Sequence, residues 1–243
     1  MTVLNHPALS FLTTFALLIA VGAESAAQQT KAEPVARKPD PAMQKIDDVP
    51  GLPRVLLIGD SISMGYTVPV RTLLKDKANV HRPLTNCGPT TKGLEALDQW
   101  LGTGKWDVIH FNWGLHDLKW CDDKGTITDV GTGHQQVPIA DYEKNLRALV
   151  ARLKQTGAKL IWCSTTPVPE GTKGRVPRDE VKYNQAAARV MKEEGVATDD
   201  LYAFALPQLG DIQLPKNVHF KPEGYAVLGK QVVRSIETAA AVK

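Results

Sequence analysis

The sequence predicts an α/β protein, a three-layer α/β/α sandwich around a central, mostly parallel five-stranded sheet. Three observations carry that expectation. Short continuous apolar runs such as Arg54 to Ile58 (RVLLI) lack the alternation of a strand with one wet face, so they read as strands covered on both sides. They alternate with longer segments whose apolar residues recur at helical spacing, the order that builds a parallel sheet with helical crossovers. No self-similar period of the repeat-protein kind interrupts the alternation.

Length and composition leave room for one such domain. The chain has 243 residues, of which 43% are hydrophobic, too apolar for a disordered polymer. Its 29 Lys+Arg against 26 Asp+Glu give a net charge of +3 with no Lys/Arg-rich run, which excludes the concentrated basic face of a nucleic-acid binder. Three cysteines without C-x-x-C spacing neither staple a small secreted scaffold nor hold zinc. The fold rests on its core.

Taken in order, residues 1–27 carry no Lys or Arg, an apolar stretch from Phe11 to Val21, and small residues at Ser25, Ala26 and Ala27. This is the pattern of a signal peptide cleaved before Gln28, and the apolar stretch is short for a membrane span of roughly 30 Å. An uncleaved anchor is the alternative; after cleavage no stable membrane insertion is expected. Residues 28–50 hold four prolines and balanced charge with few large apolar groups, the composition of a flexible Pro-rich tether. The domain is expected over 51–243. Its strands are Arg54 to Ile58, Asn79 to Arg82, Val108 to Phe111, Lys159 to Cys163 and Val196 to Thr198. Tyr142, Leu146, Leu149, Val150 and Leu153 line one helix face ahead of a stop at Gly157, and Arg178 to Glu194 forms a helix ending at Gly195. Tyr225, Leu228, Val232 and Ile236 line the last helix.

Sites in parallel α/β sheets form beyond the carboxyl ends of the strands, so the segments that follow each strand carry the functional information. Gly59-Asp60-Ser61-Ile62-Ser63 follows the first. A serine at a strand-to-helix turn exposes its hydroxyl beside a helix N-terminus, as a nucleophile that must also hold an oxyanion requires; the same serine also suits a plain helix N-cap. Asn86-Cys87-Gly88 follows the second strand region, Asn112-Trp113-Gly114-Leu115-His116-Asp117 follows Phe111, and Val218-His219-Phe220 precedes the last helix.

These blocks, in this order, resemble the SGNH/GDSL hydrolases, a family of secreted esterases and lipases with a flavodoxin-like fold, over about Arg54 to Ile236. The resemblance implies Ser61 as nucleophile, His219 as general base, and the N–H groups of Ser61 and Gly88 as oxyanion donors. It implies hydrolysis of a small-molecule or glycan ester, short acyl esters on carbohydrate above all, with no metal or organic cofactor. The chain departs from the family at two positions. Where G-x-N-D has asparagine stands His116, whose ring N–H replaces the amide donor, with Asn112 as the alternative donor. Where D-x-x-H has aspartate stands Lys216, which accepts no hydrogen bond. Asp211, the Asn217 side chain or a backbone carbonyl are the candidates to orient His219, Asp211 and a carbonyl being favoured; without them a Ser-His dyad remains. The lost acid also supports a second class of function, a glycan-binding module without catalysis. A nucleotide-binding domain is disfavoured because GDSISMG lacks a glycine-rich phosphate loop.

The segment from Trp113 to Val137 is long for a connector and reads as a lid or binding wall, with Trp113 and Trp120 as candidate substrate-stacking residues or as fillers of a small satellite core. Asp60 and Asp117 read as residues that brace turns. Cys87 and Cys121, placed after strands expected to be neighbours, are a candidate disulfide in an oxidising compartment.

Overall fold

The computed structural model describes residues 40–241 together with Thr2. The expected signal peptide, Thr2 apart, and the first part of the expected tether lie outside the described residues.

Five strands form the sheet: β1 (Arg54–Ile58), β2 (Asn79–His81), β3 (Val108–Phe111), β6 (Lys159–Cys163) and β7 (Ala197–Asp199). Every pair is parallel and the order is β2-β1-β3-β6-β7. Val55, Leu56, Leu57 and Ile58 are all buried, as a strand between two helical layers demands. One layer contains α1 (Ser61–Leu73) and α7 (Pro222–Ala241); the other contains α2 (Thr90–Leu101), α3 (Ile139–Lys154) and α4 (Asp179–Glu194). Two short helices, α5 (Leu201–Ala205) and α6 (Leu209–Ile212), lead into the last loop, and β4 (Trp120–Cys121) pairs antiparallel with β5 (His134–Gln135) outside the main sheet.

The expected three-layer sandwich and five-stranded sheet are present. Differences fall at element ends, where backbone partners decide. The second strand stops at His81 because Arg82 turns inward, and the last begins at Ala197, opposite Ile161. Helix α4 begins at Asp179, since Arg178 precedes it in the left-handed region (φ 72°).

The chain leaves β1 toward β2 on one side and returns to β3 on the other, so the strand order reverses between β1 and β3. The crevice at such a switch point is where α/β sheets bind ligands. Ile58 lies opposite Phe111 and Phe111 opposite Trp162, so the loops after β1, β3 and β6 open at one edge.

Residues 40–50, expected to be tether, are fastened to the domain. Arg71 Nη1 donates to the carbonyls of Pro41 (3.0 Å) and Ala42 (3.3 Å), and Ala42 is buried. Asp48 pairs with Arg54 at 3.0 Å and His81 at 2.6 Å, while the Asn79 side chain accepts from Val49 N–H and donates to Val49 O. The segment has little apolar area to bury; it holds by giving its polar groups partners on α1, β1 and β2.

Cys87, Cys121 and Cys163 are all free and buried, so the expected Cys87–Cys121 disulfide is absent. The expectation placed the two cysteines after adjacent strands. In fact β1 separates β2 from β3, and Cys121 belongs to the outlying β4–β5 hairpin. No helix among the described residues is long and apolar enough to cross a membrane.

Candidate active site

Ser61 is the first residue of α1. The helix cap is Asp60, whose Oδ1 accepts from Ile62 N–H at 2.9 Å, which leaves the Ser61 hydroxyl uncommitted to capping. At this position Ser61 N–H has no intrahelical acceptor and points outward with the positive end of the helix. The preceding turn is held from β2: buried Arg82 donates to Gly59 O (3.2 Å), Thr85 O (3.1 Å) and Thr67 Oγ1 (3.0 Å). In the sequence nothing marks Arg82 beyond its place at the end of an expected strand.

His219 comes from the loop between α6 and α7. Leu214 N–H donates to His219 O, Gln213 Nε2 donates to the carbonyls of Pro167 and Val218, and Gln213 bridges Phe220, so this loop is pinned on both sides. His219 Nε2 lies 2.9 Å from Ser61 Oγ, and Nδ1 lies 2.7 Å from Asn217 Oδ1. The backbone N–H of His219 also donates to Asn217 Oδ1 at 3.0 Å. Because an N–H can meet only an acceptor there, the amide must present its oxygen. Nδ1 therefore carries the proton, and the Nε2 lone pair faces the serine hydroxyl.

Asp211 does not reach this histidine. It is exposed on α6, and its contact with the loop is through its backbone carbonyl, which accepts from Lys221 Nζ at 2.6 Å. Neither it nor a backbone carbonyl orients the ring, because the turn through Lys216 (φ 54°) folds the Asn217 side chain back onto Nδ1. Burial holds His219 below the ordinary histidine range; Asp60 opposes that shift and Arg175 adds to it.

A cleft of about 460 Å³ opens over the pair, with Ser61 and His219 in its lining. The loop after β3 brings His116 to it. Gly114, at φ 155°, makes that turn feasible, since a Cβ there would overlap the Thr165 side chain. His116 is half-buried, without a hydrogen bond to another of the described residues, and its burial keeps it neutral to lower pH than usual. Asn112, the alternative donor, is turned away: its Nδ2 donates to Cys163 O at 2.7 Å and Thr165 Oγ1 at 3.3 Å, tying β3 to β6. Gly88 N–H donates to Asn86 Oδ1 at 2.9 Å, so it is Asn86 that reaches the cleft wall. Its Nδ2 has no protein acceptor among the described contacts. Asp117, buried beneath, accepts from Thr90 N–H and Oγ1 at the start of α2, and burial pushes its carboxyl up to about 7.

The two tryptophans do not line the cleft. Trp113 is 0% exposed, tilted against Phe111 in the main core, and a Cβ at Gly93 would press on its ring. An aromatic residue leaving a buried strand finds the core before it finds substrate. Trp120 lies on β4, where its N–H donates to Gly174 O at 2.7 Å, joining the long loop to the 164–178 loop. The lining includes instead Ile127, Lys173 and Arg175. Arg175 was invisible in the sequence, because a lone arginine in a Gly- and Pro-containing loop carries no signal until the fold aims it.

Among the described residues, His110, Cys163 and Asp199 bring metal-ligand atoms within 4.8 Å of one another, but all are buried and none lines the cleft. His110 Nε2 meets Asp199 Oδ2 at 3.0 Å, and Gln231 Nε2 donates to Oδ1 at 2.9 Å.

Similar solved structures include an acetyl xylan esterase (TM-score 0.61, 16% identity, covering 75% of this chain and 99% of that one). A lipase/acylhydrolase from Enterococcus faecalis gives a TM-score of 0.61 at 20% identity, covering 77% of this chain and 96% of that one. An acetylxylan esterase from Geobacillus stearothermophilus gives 0.60 at 18% identity, covering 76% and 94%. At such identities the likeness is one of fold. No curated protein matches the sequence. The model of the GDSL-like lipase/acylhydrolase family matches residues 57–227, from the first strand to the last helix, and the chain belongs to that family.

Proposed function

We propose that the protein is an exported serine ester hydrolase that cleaves short acyl esters, acetyl esters of carbohydrate among them. The observation that carries the reading is the hydrogen-bonded series Ser61 Oγ, His219 Nε2, His219 Nδ1, Asn217 Oδ1, at 2.9 Å and 2.7 Å. Membership of the GDSL-like family supports ester hydrolysis, and the acetyl xylan esterases among similar folds support the acyl class. Export rests on the signal-like segment 1–27.

In the proposed cycle, Ser61 Oγ attacks the ester carbonyl as its proton passes to His219 Nε2. The developing oxyanion takes hydrogen bonds from Ser61 N–H and the His116 ring N–H, with Asn86 Nδ2 on the same wall and Gly88 N–H holding Asn86 in place. His219 then protonates the departing alkoxide, leaving an acyl-serine. Water, deprotonated by the same nitrogen, releases the carboxylic acid. Asn217 is a positioning residue: it fixes the tautomer as a carboxylate would, but as a neutral group it stabilises the imidazolium less. An asparagine in this place has a parallel in the Cys-His-Asn constellation of papain-like proteases.

Hydrolysis of 4-nitrophenyl acetate tests the reading. The wild type is expected to turn over, and Ser61→Ala to lower kcat by a factor on the order of 10⁴ or more. Equal rates would favour the binding-module reading, which draws on the same replacement of an acid by Lys216.

A further inference from the structure

We propose that the cleft is built for an ester that carries a carboxylate, which Arg175 receives with help from Lys173 and Lys216. The proposal rests on the esterase reading above and names the substrate class for that same site.

The first observation is the state of Arg175. It is half-buried in the cleft wall, and its Nε donates to Leu115 O at 3.1 Å, which fixes the guanidinium plane. It has no carboxylate partner among the described residues; Arg71 and Arg82, which also lack one, spend their Nη groups on protein oxygens, whereas the described residues give the Nη groups of Arg175 no acceptor. Burial lowers its proton affinity, with Asp60 the single acid that opposes the shift. Withdrawing a guanidinium from water without a counter-charge is unfavourable, and a bound anion removes that penalty. With Nε occupied, the two Nη groups remain, a planar pair matched to the two oxygens of a carboxylate.

The second observation is the company Arg175 keeps. Lys173 enters from the same loop and Lys216 from the loop that carries His219, and both line the cleft. Neither has an acidic partner among the described residues. Lys216 sits in the left-handed region, a backbone state that a non-glycine residue adopts at a cost, and its aliphatic stem lies across Gly171. Against these three cations the lining offers one carboxylate, Asp60, whose Oδ1 already caps α1. At His116 burial is the main cause disfavouring the charged ring; Asp60 opposes it, and Lys119, Arg175 and Lys92 add to it. Like charges converging on a cleft repel one another, and an anionic ligand turns that repulsion into binding.

The carboxylate belongs either to the acyl half of the ester or to the alcohol half, and two substrate pairs separate the cases. Mono-4-nitrophenyl adipate against its methyl-capped neutral analogue reports the acyl side. The pair 4-acetoxybenzoate and 4-acetoxybenzamide reports the alcohol side. At low salt, kcat/KM is expected to favour the anionic member of one pair by about tenfold or more, equivalent to about 1.4 kcal/mol. High salt and Arg175→Gln are expected to pull that ratio toward one, mainly through KM. Lys216→Gln gives a second, smaller reduction and serves if the arginine variant fails to fold. Equal kcat/KM within both pairs, alongside Ser61-dependent turnover of the neutral esters, overturns the anion proposal and leaves the esterase reading standing. If no ester is hydrolysed, the esterase reading fails on its own. Isothermal titration of the Ser61→Ala chain with the same pairs then decides the anion site, which tighter binding of an anionic member supports and equal binding overturns.

Discussion

The imidazole of His219 has different partners on its two nitrogens, an amide oxygen on Nδ1 and a serine hydroxyl on Nε2, and its pH behaviour follows from them. Burial and Arg175 both disfavour the imidazolium, so the folded-state pKa lies below the ordinary value of about 6.5. A general base works when unprotonated; the acid limb of kcat/KM is therefore expected below about pH 6.5, and activity falls only as pH drops through it. Replacing Asn217 by aspartate sets a negative charge against Nδ1–H, favours the imidazolium and moves that limb to higher pH. Asn217→Ala removes the tautomer lock and is expected to lower kcat by about 10²-fold, within the range a general base contributes. A pH profile separates this positioning role from a merely structural one. An Asn217→Asp profile superimposable on the wild type would contradict it.

The distance between Ser61 and His219 is set by how closely α1 approaches α7. Two glycines make that approach. A Cβ at Gly65 would overlap the Tyr225 ring, and one at Gly229 would press on Pro69. Tyr225 packs in turn, tilted, against Phe220, the neighbour of His219, so the contact between helices reaches the site directly. Gly65→Ala sets two effects against each other. Helix propensity favours alanine by about 1 kcal/mol, whereas overpacking costs about 1–3 kcal/mol. The overlap is with the half-buried Tyr225 ring, which must shift off Phe220 to admit a Cβ, so the net change is expected to be destabilising, with a lower Tm and a lower kcat. A raised Tm with unchanged kcat would contradict the packing argument. In the sequence α1 is marked only at its start, by the Gly59-Asp60-Ser61 turn; the reason for Gly65 and Pro69 within it is the neighbouring helix.

At the scale of the whole molecule, the site exists only once the loops beyond β1, β2, β3 and β6 and the loop before α7 converge at one edge of the sheet. The apolar runs made β1, β3 and β6 readable to the residue, because burial on both faces leaves little choice of side chain. The motif blocks placed Ser61, His116 and His219, which do meet at one cleft. Residues that depend on tertiary context were not readable in the same way. Trp113 fits a substrate platform or a core filler by sequence alone, and its contacts with Gly93 and Phe111 place it in the core. Asp211 was attractive as a nearby acid, yet backbone geometry at Lys216 decided for Asn217. Arg175 acquires meaning only when its loop closes over the serine. In the proposed cycle convergence makes Ser61 a nucleophile, and intact and peptide mass spectrometry after treatment with a fluorophosphonate reads this out. A single adduct is expected on the Ser61 peptide of the folded chain, lost in His219→Ala and in the urea-unfolded protein. No adduct, or one on another serine, would show that Ser61 is not activated.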